Sequence, residues 1–509
     1  MAIDSATLLA VALLLPTSLL VFSYALAAYS RPPFPGPKGI PFVGNIVPRE
    51  DPWSTLRKWS KQYGPVYGLR VLSTPVVVIN SVQAARELLE NRSNIYSNRV
   101  PPKMAELSGL DEGILFQTHV GRLRQGRKLL ATGLQARELE AYQPLMRDSV
   151  TKFCADVIRD PKNWLKYLHR VPTEVSLDIA YGHVMKGLDD PFVAKMNEVT
   201  RHFESATAFS VEEGYVVNFL PFLSKFPSFL PGMSFKRRAA RWKAHFMTMA
   251  KEGLERVKDE VARGVARPSM LSRALTEAPG SYSDDVMMRC APQLLTGGSD
   301  TIISLTSTFL LAILHNPEVQ IRAQAEIDQV IGNERIPTYK DKDSLPYVYA
   351  IVRECIRWRT ALPTIYRNLV KDDEFEGRHI SQRSTIFINY QGILRNDDVY
   401  PDADAFRPER WLDPKVLGNK DIDPLEIAFG FGRRVCPGKF LALDLGFQLI
   451  VAMLTVFKVS KAKDVSGVEI TPKVEYTNGS VVWPVPFQCD IQPRSVQAKQ
   501  LVDHAVNAL

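Results

Sequence analysis

The chain has 509 residues, of which 45% are hydrophobic and 23% charged, and a formal net charge of +8, as in an ordinary globular protein. No run of like charges is long enough to predict a nucleic-acid partner. The five cysteines are scattered and form no C-x-x-C pair, which argues against a disulfide framework and for a reducing compartment.

The N-terminal segment is the first predicted element. Residues 5–30 contain no charged side chain and are rich in leucine, alanine and valine. A helix of this length, rising ~1.5 Å per residue, exceeds the ~30 Å hydrocarbon core of a bilayer. Residues 1–30 are therefore predicted to be one uncleaved transmembrane anchor. The alternative is a cleaved signal peptide, because Ala25, Leu26 and Ala27 have the small-x-small form of a cleavage site.

Charges and prolines characterise the segment after this anchor. Arg31, Lys38 and Arg49 follow the apolar run, so the positive-inside rule places the rest of the chain in the cytosol. The dense prolines between Arg31 and Pro41 exclude a helix or a central strand. We therefore expect a stiff, extended hinge over residues 31–48.

Residues 49–509 are predicted to form a single folded domain, since the linkers within it are too short to divide it. Val66–Val71 and Val76–Ile79 have the composition of two strands joined as a hairpin, and Thr385–Tyr390 that of a further strand.

Helical patterns dominate the remainder of the domain. Ser81 is predicted to cap a helix that continues to about Asn91, and long helical patterns predominate from there to about residue 360. The predicted fold class is therefore mainly α with small β-sheets.

A long apolar helix predicted over Met287–His315 contains two adjacent glycines, Gly297 and Gly298. Each glycine destabilises a helix by about 1 kcal/mol relative to alanine. Their presence is explained if the missing side chains leave space for a small molecule beside the helix. Asp300 and Thr301 place a carboxylate and a hydroxyl beside that gap, which suits proton delivery through water. The alternative is helix packing through small residues, with the threonine bonding back to its own turn.

The segment from Phe429 to Gly438 carries one cysteine, Cys436, on a glycine-flanked loop after two arginines. Small residues allow the backbone to come close, and backbone N–H groups can point at the sulfur of a metal-bound thiolate. The alternative is a buried structural cysteine. The pattern Phe-x-x-Gly-x-Arg-x-Cys-x-Gly resembles the haem-binding loop of the cytochrome P-450 monooxygenases. The matching positions are Phe429, Gly432, Arg434, Cys436 and Gly438.

The resemblance implies roles for residues in and near this loop. Cys436 would be the axial ligand of the iron of haem b, with Phe429, Arg434 and Gly438 as haem-binding neighbours. Arg367 is similar to a further arginine of the family that meets a haem propionate.

A less secure match lies in an earlier helical segment. Arg127, with Arg124 beside it, resembles the arginine of the family's Trp-x-x-x-Arg element, which would also bind a propionate. Leu123 occupies the tryptophan position of that element, so one indole N–H donor is lost.

Two further motifs of the family are matched. Asp300 and Thr301 would be the catalytic pair of its oxygen-activation motif, in which Ile302 replaces a common threonine or serine. Glu354 and Arg357, at i and i+3 on one helix face, are by themselves an ordinary surface pair. The family's Glu-x-x-Arg motif makes them, with Arg410, a buried structural network.

The resemblance implies a fold and an activity. The fold would be that of a cytochrome P-450 behind one N-terminal transmembrane helix, with the catalytic domain at 49–509. The activity would be that of a haem-thiolate monooxygenase of the microsomal class. It would insert one oxygen atom from O₂ into a lipophilic small molecule, such as a terpenoid, polyketide or indole-type intermediate of fungal secondary metabolism.

Partners and location follow from the same resemblance. No Rossmann or flavin-binding segment is visible in the chain, so NADPH would act indirectly through a flavoprotein reductase. The expected location is the endoplasmic reticulum membrane, with a single span and a cytosolic catalytic domain.

Two other functions remain open. One is a haem-thiolate isomerase or dehydratase that needs no reductase. The other is a non-catalytic haem carrier or sensor anchored at the membrane. A zinc centre is not predicted, because the eight histidines form no H-x-x-E-H or H-x₃-H cluster.

Overall fold

The computed structural model describes residues 32–41, 43–48, 52–187, 189–207, 215–413, 415–416 and 419–509. The predicted transmembrane anchor at 1–30, and with it Arg31, lies outside the described residues.

The α-helices of the described residues are α1 (Pro52–Tyr63), α2 (Val82–Arg86), α3 (Lys103–Leu107), α4 (Val120–Leu134), α5 (Ala136–Leu139), α6 (Gln143–Arg159), α7 (Trp164–Tyr181), α8 (Pro191–Thr207), α9 (Val216–Phe219), α10 (Ser234–Ala262), α11 (Met270–Thr276), α12 (Asp284–Cys290), α13 (Pro292–His315), α14 (Pro317–Val330), α15 (Pro346–Trp358), α16 (Tyr390–Leu394), α17 (Pro424–Ile427), α18 (Lys439–Val456) and α19 (Val496–Asn507). The strands are β1 (Val66–Val71), β2 (Thr74–Ile79), β3 (Thr364–Asn368), β4 (Asp373–Phe375), β5 (Arg378–Ile380), β6 (Thr385–Asn389), β7 (Phe457–Lys461) and β8 (Cys489–Pro493). The predicted mainly helical fold with small sheets is confirmed.

The chain separates into two compact units, and the first contains the four-stranded sheet. This unit consists of Met1–Arg99, Pro363–Pro401 and Phe431–Arg434. Its sheet has the order β1-β2-β6-β3, in which β2 and β6 run parallel and the other pairs antiparallel. The predicted hairpin of β1 and β2 is confirmed, and it forms because branched apolar residues of β2 are buried.

Side-chain caps set two helix starts in this first unit. The hydroxyl of Ser81 accepts from the backbone N–H of Ala84 at 3.0 Å, as predicted, and α2 continues as a π-helical turn over Glu87–Asn91. The predicted strand at 385–390 ends one residue early, since Asn389 caps α16 by accepting from Gly392.

The second unit consists of Val100–Leu362, Asp402–Gly430 and Val435–Leu509. Its central helix is α13, which packs against α7 and α18. The prediction of one helix over Met287–His315 was wrong in one respect, because this segment forms two successive helices, α12 and α13. The helical stretch begins at Asp284 and is interrupted at Ala291, since Pro292 at the first turn of α13 has no N–H for the helical ladder.

Among the described residues, two stretches are long and apolar enough to cross a membrane. They are Asp284–His315 and Lys439–Val456, and 72% and 83% of their most apolar windows is buried inside the protein. Both are therefore core helices of the second unit rather than evidence for a membrane span.

The predicted hinge at 31–48 is described in most of its length. Its described part, 32–41 and 43–48, contains neither helix nor strand, as the prolines require.

Candidate functional site

The loop that leads to Cys436 is closed by its own backbone. The N–H of Cys436 donates to the carbonyl of Phe429 at 2.8 Å, which makes the intervening residues a tight loop. After Cys436 the backbone N–H of Gly438 points at the sulfur. This is the donor arrangement that stabilises a thiolate.

The electrostatics of this sulfur favour a bound cation. Cys436 is half-buried, and burial raises the pKa of its thiol. The Gly438 N–H and the positive charges of Arg127 and Lys439 oppose that shift in pKa. The other four cysteines carry no such donor set in the described residues: burial is the main cause of the raised pKa of each.

Arg127 is the cation of α4 that reaches the loop. Its guanidinium donates to the carbonyl of Val435 at 2.9 Å. Burial lowers the pKa of Arg127, and the Cys436 sulfur acts in the opposite direction. Arg124 lies on the exposed face of the same helix, and Leu123, in place of the family's tryptophan, is buried in the core.

The middle of α13 borders open space. Gly297 is exposed in a helix whose residues from Ile302 to Leu314 are buried. A Cβ built on Gly297 meets no described atom within 4 Å, whereas one built on Gly298 lies 3.1 Å from the hydroxyl of Ser176. Gly297 therefore borders open space, whereas Gly298 packs against Ser176.

Thr301 and Asp300 lie one turn beyond that gap. The hydroxyl of Thr301 donates to the carbonyl of Gly297 at 3.1 Å, the back-bond that a structural role predicts. The Thr301 oxygen can still accept a hydrogen bond while its hydrogen is donated to Gly297. The back-bond is therefore compatible with a role of this hydroxyl in proton transfer.

Asp300 has a partner that sequence reasoning missed. Its carboxyl is hydrogen-bonded to that of Glu204 on α8. Two carboxylates cannot donate to each other, so the pair holds a proton. Burial, followed by the neighbouring Asp300, raises the pKa of Glu204 to about 7, and burial also raises the pKa of Asp300, so the two carboxyls share this proton near neutral pH. No sequence signal links the two residues, because they belong to distant helices.

Glu354, Arg357 and Arg410 are brought together in the second unit. Glu354 and Arg357 are fully buried and form a two-pronged ion pair at 2.8 and 2.9 Å. Arg410 donates to the same carboxylate at 3.2 Å. Sequence reasoning missed two further donors to it, the indole N–H of Trp411 at 2.9 Å and the backbone N–H of Arg407 at 2.8 Å.

The first unit contains a group of buried arginines. Arg367 and Arg434, both named by the sequence, are 1% and 8% exposed. Arg99, which the sequence reasoning missed, is 5% exposed and lies near both. Burial, followed by the charges of Arg367 and Arg434, lowers the pKa of Arg99 well below its usual value. The positive charges of Arg99, Arg367 and Arg434 repel one another, and an anion bound near them would relieve this repulsion.

Gly432, two residues before Arg434 in the chain, has a backbone conformation and surroundings that exclude a side chain. Its φ is +60°, and an added Cβ would lie 1.9 Å from the carbonyl oxygen of Leu89. Gly438 has an ordinary φ of −90°. A Cβ there would meet only the sulfur of Cys436, at 4.0 Å.

Comparison with known proteins agrees with this chemistry. The family model described as Cytochrome P450 matches residues 34–489. The chain belongs to the cytochrome P450 family.

Its relatives include fungal monooxygenases. Cytochrome P450 monooxygenase 105 of Postia placenta is 34% identical over 504 residues, which cover 97% of this chain and 95% of the relative. Cytochrome P450 monooxygenase claR of Ampulloclitocybe clavipes is also 34% identical, over 97% and 92% of the two chains. Tryptamine 4-monooxygenase of Psilocybe cyanescens is 32% identical, over 91% and 93%. This cytochrome P450 is accordingly an oxidoreductase that incorporates oxygen, and its family implies haem iron.

The residues present fit a haem. Cys436 offers a sulfur towards which an N–H is directed, and Gly297 leaves room on the adjoining helix of the same unit. The buried arginines of the first unit are cations of the kind that two carboxylate side arms require.

Proposed function

We propose that this cytochrome P450 hydroxylates a lipophilic small molecule of fungal secondary metabolism, such as a terpenoid, polyketide or indole-type intermediate. The observation that carries the proposal is the open space at Gly297, with Asp300 and Thr301 at its end. The relative whose name assigns it to tryptamine supports an indole-type substrate among the three classes.

Cys436 would hold the iron of haem b through its sulfur. Haem bound through a thiolate supplies the activation of O₂, and the thiolate favours cleavage of the O–O bond. The N–H of Gly438 and the charge of Arg127 favour the anionic form of the sulfur against the effect of burial, and Phe429 accepts the hydrogen bond that fixes the loop.

The arginines would bind the propionates. Arg434, two residues before Cys436, has its Nε fixed by the carbonyl of Ser97 at 2.9 Å. Arg367 donates from one terminal nitrogen to the carbonyl of Tyr366 at 3.0 Å. Arg99 adds a third buried cation, and Arg124 and Arg127 are the candidates from α4.

Glu204, Asp300 and Thr301 would form the proton path. The proton held by the Glu204 carboxyl passes to the Asp300 carboxylate, with which it is already hydrogen-bonded. From there a water carries it along the Thr301 hydroxyl to the gap beside Gly297. A raised pKa suits this role, because such a carboxyl both releases and regains a proton near neutral pH.

The electron source and the location are proposed on the family resemblance. NADPH would supply electrons through a flavoprotein reductase, and the catalytic domain at 49–509 would face the cytosol from an anchor at 1–30 in the endoplasmic reticulum membrane. The Glu354–Arg357–Arg410 network would keep the segment before the cysteine loop in place.

The ligand assignment is tested with two cysteine variants. Cys436→Ala is expected to abolish the red-shifted Soret band of the ferrous CO complex, because no thiolate remains on the iron. Cys489→Ala, at another partly accessible cysteine, is the control and should keep the band. A normal band in Cys436→Ala would mean that another residue binds the iron.

The reaction is tested by co-expression with a reductase. Candidate terpenoids, polyketides and indoles are supplied, and the products are analysed by mass spectrometry for a gain of one oxygen from ¹⁸O₂. Products that form with peroxide alone and without label would instead support a reductase-independent isomerase or dehydratase. A spectrum unchanged by every candidate, with no product, would support a haem carrier or sensor.

A further inference from the structure

Helices α8 and α10 bring a carboxylate and two imidazoles to one point on the second unit. Glu198 and His202 lie four residues apart on one face of α8, and His245 faces them from α10. Nε2 of each histidine lies 3.7 Å from a different oxygen of the Glu198 carboxylate. One ligating atom from each residue lies within 4.8 Å of those of the other two.

These distances match a metal site better than a hydrogen-bonded cluster. At 3.7 Å the atoms are too far apart for a hydrogen bond. A tetrahedral zinc with bonds of ~2.1 Å holds its ligand atoms about 3.4 Å apart. Small side-chain rotations would therefore bring all three atoms to bonding distance.

The surroundings of His202 also suit a metal. Burial lowers the pKa of His202. The nearby His245 and Arg201 lower it further, whereas the carboxylate of Glu198 raises it. A neutral imidazole cannot form an ion pair with Glu198, but it offers the lone pair that a metal requires.

The frame around the cluster is fixed. The ring of His202 stacks on that of Trp242 with centroids 4.7 Å apart and an interplanar angle of 18°. Earlier on α8, Lys195 pairs with Glu252 of α10 at 2.6 Å, which holds the two helices in register. Glu198 is half exposed, so a metal can enter from solvent and keep water as its fourth ligand.

We propose that Glu198, His202 and His245 form a zinc site that joins α8 to α10. Two imidazoles and one carboxylate are a donor set that suits Zn²⁺, with one position left open. Because α8 also carries Glu204, bound zinc would restrict the helix that holds the proton donor of Asp300.

The test is calorimetric titration of ZnCl₂ into the haem-loaded, untagged full chain after treatment with a chelator. One equivalent is expected to bind. His202→Ala and His245→Ala should each weaken binding at least tenfold, since losing even an outer partner of a metal ligand costs 10–100-fold. His379→Ala is the control, because His379 is exposed and faces the carboxylate of Asp372 at 3.5 Å, away from α8 and α10 in the chain. Binding unchanged in both cluster variants would overturn the proposal.

Two measurements guard against loss of fold. Glu198→Gln preserves shape at a half-exposed position, and it should also weaken zinc binding while leaving the Soret band intact. Hydrogen exchange of the wild-type chain should slow in 191–207 and 234–262 when zinc is added. Equal exchange with and without zinc would show that no link between the helices forms.

Discussion

Gly432 shows how a single position restricts the cysteine loop. A positive φ alone disfavours a side chain, and at Gly432 the carbonyl of Leu89 also occupies the place of a Cβ. The spacing of the motif alone does not separate these two reasons for glycine, whereas the geometry does.

Gly432→Ala is expected to destabilise the fold by more than Gly467→Ala. Gly467 has a φ of +82° with no described atom within 4 Å of a built Cβ, so alanine there costs only the backbone term of about 1–2 kcal/mol. At Gly432 the contact at 1.9 Å adds a backbone displacement. Denaturant unfolding and haem content measure the difference, and equal losses in the two variants would contradict it.

The proton shared by Glu204 and Asp300 predicts a pH dependence. Folding raises the pKa of Glu204 from its ordinary value of 4.5 to about 7. The contribution of such a carboxyl to the free energy of unfolding is complete below pH 4.5 and is lost as the pH rises through 7. Glu204→Gln should therefore gain thermal stability relative to wild type between pH 5 and pH 8. Glu334→Gln, at an exposed glutamate, is the control. A difference in melting temperature that stays constant with pH would exclude the shared proton.

At the scale of elements, one buried carboxylate ties α15 to the segment that follows residue 402. Glu354 accepts from two arginine side chains, an indole and a backbone N–H, so its desolvation is compensated on every side. The Arg357 guanidinium in turn donates to the carbonyls of Ala403 and Ala405. Removing the Glu354 carboxylate would leave the guanidinium groups of Arg357 and Arg410 without their anionic partner.

Glu354→Ala is expected to lose about 3–5 kcal/mol of stability, because it breaks a buried ion pair, and to yield protein without haem. Arg322→Ala is the control. It breaks an exposed pair with Glu409 at 3.0 Å and should cost less than about 1 kcal/mol. Denaturant unfolding and the haem-to-protein ratio distinguish the two. Normal haem incorporation in Glu354→Ala would show that the network is dispensable.

For the whole molecule, the membrane anchor is the prediction with the largest consequence. The apolar stretches at 284–315 and 439–456 are buried in the second unit, so they do not provide a span. The proposed attachment to a membrane would therefore depend on residues 1–30, whose sequence lacks charge between Asp4 and Arg31.

Deletion of residues 1–30 is expected to move the protein from the membrane fraction to the supernatant after ultracentrifugation. The full-length chain and a variant with a leucine–alanine helix in place of 1–30 are the controls and should stay with membranes. Retention of the deleted chain at the membrane would mean that another surface binds lipid.

The sequence by itself determined the features that depend on short spacings. The cysteine loop, the paired glycines of α13 and the hairpin of β1 and β2 were predicted, because neighbours in the chain are neighbours in space. Glu198 and His202, four positions apart, have such a spacing too, but two ligands on one helix turn do not make a metal site.

Only the tertiary structure decided which distant segments meet. It placed Glu204 against Asp300, Trp411 against Glu354 and His245 opposite Glu198. Each contact joins groups on separate elements, and each depends on how the apolar faces of those elements pack. Packing is a sum over many weak contacts, so no local pattern of residues specifies which polar groups it brings together.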